Sequence, residues 1–141
     1  MRAIIRTFLV LSLTLVFGSS ISYAQVSGTR VEAEIPFEFS IGDKTFAAGK
    51  YVLSVIRLHD SVYSVRMRDD AGKLIHSTTA IQNGSSLRNR ADMLFAVVDN
   101  DRYLDMIRTP ECGFMFSKSS GDKRIAKAKR LSVPTSGSTP N

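Results

Sequence analysis

The feature that most constrains this chain is a two-residue alternation of apolar and polar side chains between residues 31 and 41. The apolar positions are Val31, Ala33, Ile35, Phe37, Phe39 and Ile41, and the positions between them are Glu32, Glu34, Pro36, Glu38 and Ser40. Successive side chains of a strand point to opposite faces, so this pattern predicts a half-buried β-strand. Because proline has no N–H to donate to a ladder, Pro36 predicts a sheet edge or a bulge.

Further short segments of strand-like pattern follow, and turn residues separate them about every 8–12 positions. The turn signals are Gly42-Asp43-Lys44, His59-Asp60-Ser61, Asp69-Asp70-Ala71-Gly72, Asn83-Gly84 and Asp99-Asn100-Asp101. The sequence therefore predicts an all-β domain, either an antiparallel β-sandwich or a small β-barrel, of about 7–8 short strands.

The first 24 residues are typical of a cleavable export signal. Arg2 and Arg6 precede an apolar core from Phe8 to Phe17, and Ser22-Tyr23-Ala24 offers small residues for cleavage after Ala24. The apolar core is about half the length that a membrane-spanning helix needs. We therefore expect a periplasmic or secreted protein with no transmembrane span after cleavage.

Charge and composition divide the mature chain. Residues 25–117 are nearly neutral, with 11 basic and 12 acidic side chains, and we assign them to the β-domain. Residues 118–131 are strongly basic and place Ile125, Ala128 and Leu131 on one helical face, so we predict a C-terminal basic helix. Residues 132–141 are rich in Ser, Thr and Pro and predict a disordered tail.

The basic segment is the one candidate binding site in the sequence. Its candidate anion-binding residues are Lys123, Arg124, Lys127, Lys129 and Arg130. Export argues against nucleic acid, so an anionic envelope component or another exported protein is the expected partner. A solvated helix that binds nothing is the alternative.

Two motifs support a family resemblance. The first is Ile35-Pro36-Phe37-Glu38-Phe39 with Gly42-Asp43-Lys44 and Phe46-Ala47-Ala48-Gly49-Lys50-Tyr51, and the second is Arg102-Tyr103-Leu104 with Ser117-Lys118-Ser119. From Val31 to Leu131 the chain resembles small exported proteins common in acidobacterial genomes. It departs from them in having Ala47 in place of a proline. Its predicted C-terminal helix is also rich in lysine where theirs is rich in glutamate. The resemblance implies a β-rich exported protein and assigns no functional residue.

No residue pattern predicts catalysis, a metal or a cofactor. His59 and His76 lack the tight spacing of a zinc site, and Asp99-Asn100-Asp101 lacks the glycine and glutamate of an EF-type calcium loop. The lone cysteine, Cys112, forms no internal disulfide and is either a small apolar residue or a link between chains. We therefore expect a non-enzymatic envelope domain with a binding or scaffolding role. The alternative is a carrier of a small apolar ligand in a barrel cavity.

Overall fold

The structure is a computed structural model, and it describes residues 28–85, 89–116 and 127–140. The predicted export signal at residues 1–24 lies outside the described residues. So do residues 118–126 of the predicted helix, which include Lys123 and Arg124.

Eleven strands form within the described residues, which confirms the all-β prediction and exceeds the predicted 7–8 strands. They are β1 (Gly28–Ile35), β2 (Phe39–Ile41), β3 (Lys44–Phe46), β4 (Gly49–His59), β5 (Val62–Asp69), β6 (Leu74–Ser85), β7 (Asp92–Val98), β8 (Asp101–Arg108), β9 (Cys112–Phe116), β10 (Lys129–Pro134) and β11 (Gly137–Pro140).

The strands form one sheet in the order β10-β7-β8-β9-β6-β5-β4-β1-β11. Every ladder along this path is antiparallel. Strand β2 pairs with β3 and makes one parallel contact with β8, at Ser40 and Tyr103, so the sheet is mixed. The alternation of direction along the path leaves β10 and β11 pointing the same way.

The two end strands of this path are consecutive in the chain and are separated only by Thr135 and Ser136. The Thr135 amide donates to the carbonyl oxygen of Ala91, next to β7, at 3.3 Å, and the Ser136 amide donates to the carbonyl oxygen of Glu32 on β1 at 2.9 Å. The dipeptide is therefore in backbone contact with the residue before β7 on one side and with β1 on the other.

The core lies on the face to which the alternating apolar side chains point. Phe39 is its centre, since its ring centroid lies 5.4 Å from Tyr51, 5.5 Å from Phe95 and 5.6 Å from Phe46. The largest fully buried side chains are Phe39, Phe95, Ile35, Leu53, Met67, Met93, Ile107, Val31, Val55 and Val65. They come from β1, β2, β4, β5, β7 and β8, so the core joins strands that are far apart in the chain.

The alternation at residues 31–41 gives two strands, because Pro36 ends the first. Strand β1 stops at Ile35, and β2 resumes at Phe39 with different partners. The predicted turns at Gly42 and Gly72 are present, with φ of +58° and +79°, which glycine adopts without a steric penalty.

The turn predicted at Asn83-Gly84 is wrong. Both residues lie inside β6, where the register against β9 shifts between Asn83 and Ser85. Gly84 has φ of +61°, so it forms a bulge in a continuing strand rather than a hairpin.

The C-terminal prediction also needs correction. Residues 129–131, predicted as the end of a helix, belong to β10, and residues 132–140, predicted as disordered, supply the rest of β10 and all of β11. Pairing explains the difference: β10 adds to β7, β11 adds to β1, and Val133 is buried.

Candidate functional site

A large concave feature of the described residues lies between β1 and β10, beside the dipeptide of Thr135 and Ser136. It is an open groove of about 1010 Å³ between the Arg30–Phe37 stretch of the chain and the Leu131–Ser136 stretch. We call it the seam groove. Sequence reasoning missed it, because its walls are distant in the chain and residues 132–136 of one wall were predicted to be disordered.

Both walls of the seam groove are strand edges. Within the described residues, β1 pairs with β11 only from Thr29 to Glu32, and β10 pairs only with β7. Among the described strands, none pairs with the groove side of β10 or with residues 33–35 on that side of β1. Backbone amide and carbonyl groups therefore face the groove from both sides.

Two prolines explain why these edges do not join. Continuing the β1–β11 register past the Glu32–Gly137 pair would set Ile35 opposite Pro134 and Pro36 opposite Val133. Neither proline has an N–H to donate, so the ladder is not favoured at residues 133–134, and the Thr135 amide already donates to Ala91. Each proline signals a break in a ladder, but the sequence alone does not show that the two lie side by side.

The floor of the seam groove is apolar and aromatic. Phe37 packs edge-on against the buried Phe95 at a centroid distance of 5.1 Å, and the Arg102 guanidinium lies 4.8 Å from its ring centroid. Leu131 is 40% exposed on the opposite wall. The groove thus offers apolar surface that is accessible from solvent.

Tyr51 lines the inner end of the groove. Its hydroxyl donates to the carbonyl oxygen of Ala47 at 2.6 Å. Burial, with a smaller contribution from the negative charge of Asp69, raises the pKa of Tyr51 above its usual value. The phenol therefore stays protonated and acts as a fixed hydrogen-bond donor within the protein.

Charged side chains form the rim of the groove on the β1 side. Arg30 bridges to Glu32 at 2.9 Å, and both side chains are about half exposed. Glu34 and Lys50 are cross-strand neighbours in the β1–β4 ladder. Since these residues carry both signs, the β1 rim has no strong net charge.

The β10 wall is held in place by two buried carboxylates. Asp105 on β8, whose side chain is 2% exposed, accepts a hydrogen bond from Nε of Arg130 at 2.9 Å. Asp92 on β7 accepts one from Nε of Arg108 at 2.6 Å and one from Oγ of Ser132 at 2.8 Å. These contacts fix the position of β10, and with it one side of the groove.

Three of the five predicted anion-binding residues are described. All three are exposed at or just before the start of β10, and we call them the C-terminal cations: Lys127, Lys129 and Arg130. The structure brings them beside the seam groove, but on an extended segment at residues 129–130 rather than on a helix. Lys123 and Arg124 lie outside the described residues.

The other residues weighed in the sequence occupy ordinary positions. His59 contacts Asp60 at 3.1 Å on the surface, and Asp99 and Asn100 form the β7–β8 turn with positive φ. Within residues 28–85, 89–116 and 127–140, no three His, Cys, Asp or Glu side chains lie close enough to hold a metal ion.

Cys112 is half-buried and has a free thiol. Its sulfur lies 4.0 Å from Oγ1 of Thr109. Burial is the largest influence on the pKa of the Cys112 thiol, which is raised above its usual value. The hydrogen bond between the Thr109 and Cys112 side chains opposes this shift, and the charge of Glu111 adds to it. The thiol is therefore a poor nucleophile at neutral pH.

No helix in the described part of the chain has the length and hydropathy to cross a membrane. Comparison with known proteins gives no family, since no family model, no curated protein and no solved structure matches the chain.

Proposed function

We propose that this protein is an exported, non-enzymatic β-domain that binds another component of the cell envelope through its seam groove. The observation that carries the proposal is the groove itself, about 1010 Å³ in volume, with an accessible apolar floor beside exposed cations. Solvent-accessible apolar surface in a concave site is typical of binding sites. Residues 1–24 and the resemblance to small exported proteins support the envelope location.

A closed form of the sheet is part of this proposal. The same C-terminal segment pairs with β7 at its start and with β1 at its end, which is the arrangement a barrel needs. In such a closed sheet, the gap between β1 and β10 would be the place where ladder hydrogen bonds are missing, and the seam groove lies along that gap.

The groove can be tested with the dye 8-anilinonaphthalene-1-sulfonate, which combines an apolar ring system with one negative charge. We expect its fluorescence to rise on binding, and Leu131→Asp to abolish most of that rise by placing a carboxylate in the groove. Leu58→Asp is the matched control, because Leu58 is 59% exposed on β4 and does not line the groove. Equal losses from the two variants would overturn the groove as the binding site.

The C-terminal cations can be tested separately on vesicles containing phosphatidylglycerol. Each lysine near an anionic surface contributes about 1 kcal/mol, so Lys127→Gln with Lys129→Gln should weaken retention by roughly thirtyfold. Lys44→Gln with Lys73→Gln is the matched control, since both lysines are exposed elsewhere on the molecule. If the two double variants are retained equally, the cations have no role in binding.

Export is tested by expression of the full chain in a bacterial host that has a periplasm. Mass spectrometry of the recovered protein should give an N-terminus at Gln25. An intact leader on cytoplasmic protein would overturn the envelope proposal.

A carrier of a small apolar ligand is the second candidate. The volume of the groove favours it, because pockets for small molecules span roughly 300–1,000 Å³. In this case the ligand would occupy the surface groove, since Phe39, Phe95 and their neighbours fill the core. Extraction of the purified protein with organic solvent, followed by mass spectrometry, would detect a retained ligand.

A further inference from the structure

We infer that the seam groove takes an extended segment of another protein, which adds to the free edge of β10 as an antiparallel strand. The inference rests on the groove being the binding site proposed above and names the chemistry of its occupant. Four features of the described residues lead to it.

The first feature is hydrogen bonding. The groove side of β10 has no ladder partner among the described strands, and β1 is unpaired there from Ala33 to Ile35. An apolar small molecule would leave these amide and carbonyl groups without protein partners, whereas an extended peptide backbone matches them in spacing and in kind. Hydrogen-bond complementarity therefore favours a peptide.

The second feature is direction. Strands β10 and β1 run in opposite senses, so a strand between them is antiparallel to one and parallel to the other. The free edge of β10 spans six residues and that of β1 only three. Antiparallel ladders are slightly more stable, and a six-residue partner along β10 would extend about 20 Å.

The third feature is the alternation of the β10 side chains. Leu131 and Val133 point to the core side, where Phe37 forms the groove floor, and Arg130 and Ser132 point to the outer side. A strand beside β10 must present its own side chains in the same alternation. The positions beside Leu131 take apolar side chains.

The fourth feature is charge. Arg130 donates a hydrogen bond from Nε to Asp105, but its side chain remains 44% exposed. Lys127 and Lys129, which precede it in the chain, are also exposed. Carboxylates on the outer side of an added strand would lie near Arg130, whereas the alternation puts Lys129 on the same face as Leu131. The groove therefore fits an extended segment in which apolar and acidic residues alternate.

The probe is a fluorescein-labelled hexapeptide of alternating Val and Glu, added to the folded, processed protein. We expect saturable binding by fluorescence anisotropy, with shifts of the β10 backbone amide resonances in a ¹⁵N–¹H spectrum. Two matched peptides carry N-methyl groups, one on the three valines and one on the three glutamates. The peptide whose methyl groups face β10 loses its hydrogen bonds, so its affinity should fall by about tenfold or more.

Three results would overturn the inference: no binding of the parent hexapeptide, equal binding of all three peptides, or resonance shifts confined to residues outside β10 and β1. The dye measurement separates this failure from that of the proposed function. Dye binding that depends on Leu131 together with no peptide binding would refute strand addition and leave the groove as the site. Loss of both would refute both.

Discussion

Arg130 of β10 reaches across β7 and donates from Nε to Oδ2 of Asp105 on β8 at 2.9 Å. The other carboxylate oxygen of Asp105 is buried and has no hydrogen-bond partner in the part of the chain that the structure describes. The contact thus links β10 to β8 across β7. It also places a positive charge beside a carboxylate that is almost fully buried. A cation predicted to act in binding is also part of the framework that holds the groove wall.

Removing this cation should destabilise the fold. Arg130→Ala leaves Asp105 charged and buried, and because Arg130 is partly exposed we expect a loss of about 2 kcal/mol in the free energy of unfolding. Urea titration monitored by circular dichroism measures it. Adding Asp105→Asn should recover part of the loss, while the exposed neighbour variant Lys129→Ala should change stability by less than about 0.5 kcal/mol. Equal effects of Arg130→Ala and Lys129→Ala would contradict the argument.

The hydrogen bonds to Asp92 predict which of two variants, Arg108→Ala or Ser132→Ala, loses more stability. Asp92 binds Arg108 through both of its oxygens and also accepts from Ser132. Arg108→Ala should cost about 3 kcal/mol, because it removes both hydrogen bonds that Arg108 donates to a largely buried carboxylate. Ser132→Ala removes one hydrogen bond and should cost about 1 kcal/mol. Thermal and urea denaturation provide the ranking, and a larger loss from Ser132→Ala would show that the ion pair is not the main anchor.

His76 should make stability depend on pH. Burial, aided by the positive charge of Lys44, lowers the pKa of His76 below its usual value of about 6.5. The unfolded chain therefore binds a proton more readily than the folded protein as pH falls through this range, so stability should decrease as pH falls from about 6.5 toward the lowered pKa.

The matched variants for this prediction are His76→Gln and His59→Gln. His59 is highly exposed, whereas His76 packs against Phe46 with a centroid distance of 5.3 Å. The unfolding free energy should be measured between pH 5 and pH 8. Its dependence on pH should become weaker in His76→Gln and should stay unchanged in His59→Gln. The same pH dependence in wild type and in His76→Gln would contradict it.

Cys112 should react slowly with alkylating reagents. Its raised pKa reduces the thiolate fraction, and the folded protein should be alkylated by iodoacetamide at pH 8 more slowly than the same protein in urea. Mass spectrometry of timed samples gives both rates. Equal rates in the folded and unfolded states would show that the surroundings of Cys112 leave the thiol unprotected.

The strand pattern and most turns were predictable because they are encoded locally. The alternation around Val31–Ile35 gives β1 directly, and glycines with positive φ mark the turns at Gly42 and Gly72. Gly84 shows the limit of such reasoning. An Asn-Gly pair provides the same backbone freedom for a turn and for a bulge, and pairing with β9 decides which one forms.

The C-terminal strands were not predictable from local sequence. Their Ser-, Thr- and Pro-rich composition is typical of disorder, and their extended form depends on partners in β7 and β1. The seam groove depends on the same pairing and on two prolines, Pro36 and Pro134, at opposite ends of the domain sequence. Only the assembled sheet shows that they fall side by side.

The pairing of Thr29 with Pro140 has a consequence for the rate at which the molecule assembles. Bringing these residues together closes a loop of roughly a hundred residues and costs chain entropy. Contacts offset this cost only after the intervening hairpins have formed. The newly made chain should therefore remain open and fold slowly until β11 pairs with β1. Under the export proposed above, that delay would keep the chain unfolded while it crosses a membrane.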